Sequence, residues 1–458
     1  MTSVETKTEA ARQHAGMGAP AAFCVPAVLG GQGGSRPPLD IPQVKFPPPA
    51  DGGSDRLKSL ALRRLRVARA ARSRAVLRDV HLHEMGYERV SSSEVVSLET
   101  GEVITVDWRG RDRWARPARV ATCSWSLGES VGVHHDGAAG SHAHWSGLER
   151  CASVWACPVC AAVIRSARAA EIEQAVTNHL ANGGAALFFT GTLRHSLADP
   201  LAQTLDGILS AWRRTISGAP WRRASERMGI VGTIRTVEVT RGDYGWHPHV
   251  HVLLLLDSEP SQVQLHEFRG WLFDRWADCV ERSGCRRPLP VGLDMQEVGG
   301  DGRVLAQYIS KVQGEDLEAS RLVASHRWGV GAEMARGDVK TGRAGSRAPF
   351  ELLDSDSAQD GALWREYYLA TKGRRCTTWS RGLRERLGVV DRTDEQIIED
   401  TEAAPMVWVA PADRYRRLLH SAPLLLPVVL EAVESSDWAE VSHLIGGHSA
   451  RRDDPGPD

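Results

Sequence analysis

The chain has 458 residues, 42% hydrophobic and 25% charged, enough for two or three domains with a sizeable core. No apolar run approaches the length of a membrane span, and the start lacks a basic stretch followed by an apolar one; a cytoplasmic protein without a membrane partner is expected. A formal net charge of −1 gives no overall attraction to nucleic acid, so any such role must come from local charge.

Residues 1–55 are rich in Gly, Pro and Ala and read as a disordered N-terminal segment. The glycines at 30–34 are not followed by Lys-Ser/Thr and a helix, which excludes a phosphate loop. Residues 56–120 read as a basic helical region, with a helix over 56–85. Nine Lys or Arg and no acid lie between Arg56 and Arg78, a pattern suited to phosphate. Residues 121–165 hold a cysteine cluster. From about 165 helix and strand alternate: helix 161–179, strand 185–193, helix 201–217, strands 230–240 and 249–256 joined by the polar loop RGDYGW, and helix 262–281. A short helix, 302–313, is capped by Asp301 and ended by Gly314. Residues 316–387 form a basic region in which Lys372, Arg374 and Arg375 are candidate DNA contacts. Residues 388–458 read as a C-terminal tail region, loose after about 445.

The most informative string is Trp246-His247-Pro248-His249-Val250-His251-Val252-Leu253. Alternate residues of a strand share one face, so His249 and His251 point the same way, as a single metal ion requires. His247 has the same parity, with Pro248 marking the strand's beginning or a bulge. If Arg241–Trp246 forms the hairpin loop, Glu238 lies opposite His249. Two or three imidazoles and a carboxylate would suit Mg²⁺ or Mn²⁺ acting as a Lewis acid on phosphate. The bland alternative is a surface histidine cluster.

Eight cysteines in such a chain point to metal ligands or free thiols before disulfides. Cys157-Pro-Val-Cys160 has zinc-knuckle spacing and Cys151 adds a third thiolate. Cys123 is the natural fourth ligand, with His142 and His144 as rivals. A closed Zn²⁺ site of this kind is structural; a redox pair is the alternative chemistry. Trp125, Trp145 and Trp155 either pack this module or stack on unpaired bases.

The string around His249 and His251 resembles the core of the histidine–hydrophobe–histidine endonucleases, in particular the rolling-circle plasmid initiators of actinobacteria. Phe189-Thr190-Gly191-Thr192-Leu193-Arg194-His195 resembles that family's first motif, and Ala306-Gln307-Tyr308-Ile309-Ser310-Lys311 its tyrosine motif. The segment Cys151 to Cys160 resembles its cysteine segment. Together these cover about residues 120–385. The resemblance implies an α+β endonuclease core over 166–315, a central antiparallel sheet with helices on one face and the metal site exposed on it. It implies Tyr308 as the nucleophile that leaves a 5′-phosphotyrosine and a 3′-OH primer. Lys311, one helical turn on, shares its face and would stabilise the phenolate. Arg194 and His195 end the first-motif strand and are candidate backbone contacts. The implied partners are plasmid origin DNA, single-stranded or as a hairpin, and host helicase and polymerase.

One departure stands out. Val304 occupies the position where some relatives carry a Glu that activates water for the terminating cleavage. Termination would then need Glu315, Asp316 or the tyrosine of a second subunit in a dimer. Tyr367 and Tyr368 compete with Tyr308. A transposase or mobilisation relaxase would use the same site, and a zinc-dependent DNA-binding regulator would bind without cutting.

Overall fold

The computed structural model describes residues 55–137, 141–298, 346–400 and 404–449. The segment 1–54, the expected helix 302–313 and the end of the chain lie outside them. Helix α1 (Asp55–Leu77) opens the described part. Ala70, Ser73 and Leu77 form its buried stripe at helical spacing. Ser73 Oγ donates to the Ala156 carbonyl and accepts from Trp364 Nε1, which ties the helix into the core. Three of its cations are held by carboxylates: Arg63 pairs with Glu434, Arg69 with Asp354 and Arg72 with Asp356.

After the short α2 (Val80–Glu84), the chain leaves the helical pattern at Gly86, whose φ of +78° a helix does not allow. It forms a three-stranded meander, β1 (Tyr87–Arg89), β2 (Glu94–Ser97) and β3 (Val103–Thr105), over Leu82, Val95, Val106 and Ala115. The region expected to be basic and helical, 56–120, is thus α-helical to Glu84, within the expected helix 56–85, and continues as the meander and short 3-10 turns. A hairpin, β4 (Ser130–His134) and β5 (His144–Ser146), follows. Helix α3 (Pro158–Ala181) then starts with Pro at its first turn, where a missing N–H costs nothing, and Cys157 caps it by accepting from the Cys160 N–H.

The centre of the molecule comprises β6 (Ala185–Gly191), α4 (Leu201–Thr215), α5 (Gly218–Met228), β7 (Ile230–Gly242), β8 (Gly245–Leu256), α6 (Gln262–Arg282), β9 (Leu293–Glu297), β10 (Ser346–Arg347), α7 (Ala358–Thr371) and β11 (Thr377–Trp379). Six of these strands form one antiparallel sheet in the order β10-β7-β8-β6-β9, with β11 also on β7. The fold class is therefore α+β. Strand β8 is central because its run from Val252 to Leu256 is apolar on both faces. Val250, Val252, Leu254 and Leu256 pack with α4 and α6; Leu253 and Leu255 pack with Ile172, Val176 and Leu383 on the other face. Helices thus cover both faces, against the expectation of one. The expected six-residue loop is a two-residue turn, Asp243-Tyr244, since pairing continues to Gly242 and Gly245. Pro248 lies inside the strand opposite Val239. It is tolerated because β6 pairs β8 only from Val250 onward, so Pro248 has a neighbour on one side alone.

The segment expected to be a tail is folded. After α8 (Leu383–Arg386), at the end of the expected basic region, it carries α9 (Asp394–Asp400), β12 (Met406–Pro411), α10 (Ala412–Ser421), α11 (Leu426–Glu434), α12 (Trp438–Ile445) and β13 (His448–Ser449). Strand β12 pairs with β4 and β13, completing a four-stranded sheet over a second core of Val131, Trp145, Trp408, Tyr415, Val429 and Ile445. Half of the expected cysteine module, residues 130–148, therefore belongs with the C-terminal end of the chain.

Candidate metal centres

The register of the central hairpin sets the first cluster. Glu238 on β7 pairs with His249 on β8, and Thr190 on β6 pairs with His251. Paired residues of adjacent strands share a face, so all four side chains meet. Glu238 Oε2 lies 3.2 Å from His249 Nε2 and 3.1 Å from His251 Nε2. Adjacent ligands of a six-coordinate cation at about 2.1 Å stand about 3.0 Å apart, so the three donors fit one divalent ion. The rings are held from behind. Thr190 Oγ1 is 3.0 Å from His251 Nδ1, and Phe188 stacks on the same ring at 5.4 Å. These contacts fix which nitrogen of His251 faces the carboxylate. The side chains of His249, His251 and Glu238 expose only 12%, 7% and 16%, so the cluster is recessed rather than open on the sheet as expected.

His247 departs from its expected place. Its Nδ1 lies 2.8 Å from His195 Nε2, and His195 Nδ1 lies 3.0 Å from the Tyr244 carbonyl. That carbonyl accepts, so His195 carries its proton on Nδ1 and, when neutral, accepts from His247 on Nε2. His247 thus donates from Nδ1 to His195 and stands outside the three-residue cluster, with its ring 5.3 Å from that of His249. Burial, with His249 and His195 adding to it, pushes its pKa down to about 3, and the ring is neutral at physiological pH. Arg194 is exposed at the end of β6 and forms an isolated antiparallel bridge with Arg286.

Tyr308 and Lys311, with Val304, Glu315 and Asp316, lie outside the described residues. Tyr367 is described and is 3% exposed, packed between Trp246 and Trp364. Burial raises its pKa far above that of a free phenol. Tyr368 is half-buried and raised for the same reason. Of the basic trio after α7, Lys372 and Arg375 are exposed, while Arg374 is tied to Asp206 at 2.6 Å.

The second cluster joins Cys123, Cys151, Cys157 and Cys160, all buried. Sulfur pairs 123–157, 123–160 and 151–160 are 3.6, 3.7 and 3.8 Å apart. A tetrahedron with metal–sulfur bonds of about 2.3 Å has edges of about 3.8 Å, so the four thiols could hold an ion such as zinc. Hydrogen bonds from Cys151, Cys157 and Cys160 hold the Cys123 thiol well below its ordinary pKa. Cys151 and Cys157 are pushed well above theirs, first by their contact with Cys123. Four buried thiolates need a cation to coexist. The rivals are engaged elsewhere: His142 sits 2.6 Å from Arg63, and His144 stacks on His134. Trp155 packs beside the thiols in the main core, Trp145 belongs to the second core, and Trp125 packs against that core's edge.

Sequence reasoning quoted Thr190 within its motif without singling it out. Its even spacing from Phe188, facing a histidine strand, was the available signal.

Residues 148–266 match the replication protein family. The chain is 36% identical over 306 residues to a Streptomyces lividans protein named Protein rep, a match covering 53% of this chain and 64% of that one. It is also 36% identical over 135 residues to a Streptomyces cyanogenus protein named Neomycin resistance protein, covering 24% of this chain and 31% of that one. The chain thus spans less than two thirds of the length of either relative. No solved structure matches. The resemblance to plasmid replication initiators read from the motifs agrees with the family match and with the Streptomyces lividans relative.

Proposed function

We propose, from the premise that residues 148–266 carry a replication protein domain, that the chain initiates rolling-circle replication of a plasmid by nicking one strand at its origin. The observation that carries this reading is the convergence of Glu238, His249 and His251 on the central strand of that domain. Mg²⁺ or Mn²⁺ held by these three residues would supply Lewis-acid polarisation of the scissile phosphate. Tyr308 attacks the phosphorus through its phenolic oxygen as its proton leaves. The bond to the 3′ oxygen breaks, and that oxygen takes up a proton. The products are a 5′-phosphotyrosine and a 3′-OH that host polymerase extends behind a helicase. Lys311 offsets the phenolate charge. Burial of Tyr367 removes a competitor and supports Tyr308. The four cysteines hold a structural zinc, and Arg194, Lys372 and Arg375 contact the DNA backbone; both ring nitrogens of His195 are engaged, by Tyr244 and His247.

Incubation with supercoiled origin plasmid and Mn²⁺, followed by denaturing separation, tests the reading. Tyr308→Phe is expected to bind DNA and give no protein-linked strand. An adduct that persists in that variant overturns the assignment and moves it to Tyr368. His249→Ala with His251→Ala is expected to abolish metal-dependent nicking, and unchanged nicking would eliminate the metal centre.

A further inference from the structure

Between α2, the segment 113–120, the Cys151–Trp155 loop and the end of α7 lies a cleft of about 670 Å³, within the size range of ligand sites. Its walls are basic. Arg116 and Arg374 are already paired, with Glu149 at 3.3 Å and Asp206 at 2.6 Å. Arg113, Arg119 and Lys372 also line it, are exposed, and have no carboxylate partner among the described residues. Of the two acids present, Asp394 is held by Arg168 at 2.8 Å, which leaves Glu395 to oppose three cations.

The cleft also offers aromatic faces. Trp114 is 39% exposed, braced by Tyr87 at 5.2 Å, and Tyr368 is half-buried with Lys372 Nζ 5.9 Å over its ring. Unpaired cations beside an exposed indole match phosphates beside an accessible base face. A duplex hides its base faces, so the chemistry points to an unpaired strand. Trp155 lines both this cleft and a cavity of about 20 Å³ that reaches Glu238.

We propose that this cleft holds an unpaired stretch of a nucleic-acid strand, its phosphates against Arg113, Arg119 and Lys372 and a base stacked on Trp114. That the strand is DNA rests on the replication reading; the binding itself does not.

The test is fluorescence anisotropy of the full chain with a labelled single-stranded DNA of about 15 nucleotides, without added divalent ion. Arg113→Ala with Lys372→Ala is expected to weaken binding and to flatten the log–log salt slope by about 1.4, two phosphate contacts at about 0.7 each. Trp114→Ala is expected to weaken binding about tenfold with the slope unchanged, and Trp114→Phe, which keeps a stacking face, to recover most of it. A change in packing would not separate slope from affinity in this way. His249→Ala is expected to bind as tightly as the unaltered chain while losing nicking, so the cleft and the nicking reading fail separately. Unchanged affinity and slope in the cleft variants would overturn the proposal. So would equal binding of a duplex of the same sequence. Displacement by a free deoxynucleoside monophosphate at matching concentration would overturn it too, since the site would then be a mononucleotide pocket.

Discussion

At the scale of single residues, orientation decides which histidines can share an ion. His247, His249 and His251 have the same parity along β8, yet only the last two converge on Glu238, while His247 bonds His195 through Nδ1. Parity was legible in the sequence. The partner of the His247 ring lies in the loop after β6, and no spacing along β8 announces it. The same logic gives Thr190 a role. Thr190→Val keeps the shape of the side chain and removes the hydroxyl that faces His251 Nδ1. It is expected to weaken Mn²⁺ binding about tenfold in calorimetric titration, with little loss of thermal stability. Affinity equal to that of the unaltered chain would show that the hydroxyl does not position the ring.

At the scale of elements, the β7–β8 hairpin carries the candidate site, and its turn sets the register. Gly245 sits at φ +100°, and a Cβ there would come 2.8 Å from the Ser196 carbonyl oxygen and 3.1 Å from Leu197 Cα. Gly245→Ala therefore meets both backbone strain and backbone contact. A loss of about 1–3 kcal/mol in denaturant unfolding is expected. An unchanged midpoint would mean that the turn relaxes freely. Helix α3 is anchored differently. Glu171, buried, receives Arg168, Arg384 and Arg392 at 2.9, 3.0 and 3.1 Å, which clamps the segment 384–392 against the helix. Glu171→Ala removes the one buried carboxylate that the three share and leaves each with a more exposed partner, Asp394, Asp391 and Asp400. A loss of about 1–3 kcal/mol is expected in the same measurement.

At the scale of the whole molecule, residues far apart in the chain share cores. Strands β4 and β12 pair across more than half of the sequence, and Glu434 ties α1 to the second core. Burial would raise the Glu434 carboxyl, but hydrogen bonds from His142 and Arg63 win and hold it down to about 2. Its folded pKa lies below its unfolded value of about 4.5, so its contribution to stability is complete above pH 4.5 and fades as pH falls towards 2. Glu434→Gln is expected to flatten the fall in melting temperature across that window while lowering it near neutrality. A melting curve with the same pH dependence as the unaltered chain would remove Glu434 from that role.

The sequence alone determined what rests on local period and spacing. Strand alternation put His249 and His251 on one face, antiparallel pairing about the Arg241–Trp246 turn set Glu238 opposite His249, and the cysteine spacing nominated the four thiols that do meet. The family resemblance added the antiparallel sheet. Tertiary structure alone decided the rest, because those outcomes depend on contacts between segments with no sequence relation. It engaged His247, tied three cations of α1 to Asp354, Asp356 and Glu434, and recessed the metal cluster under a sheet covered on both faces. It also turned the expected tail into half of a second core, since β12 and the helices after it pack with β4 and β5, more than 250 residues earlier.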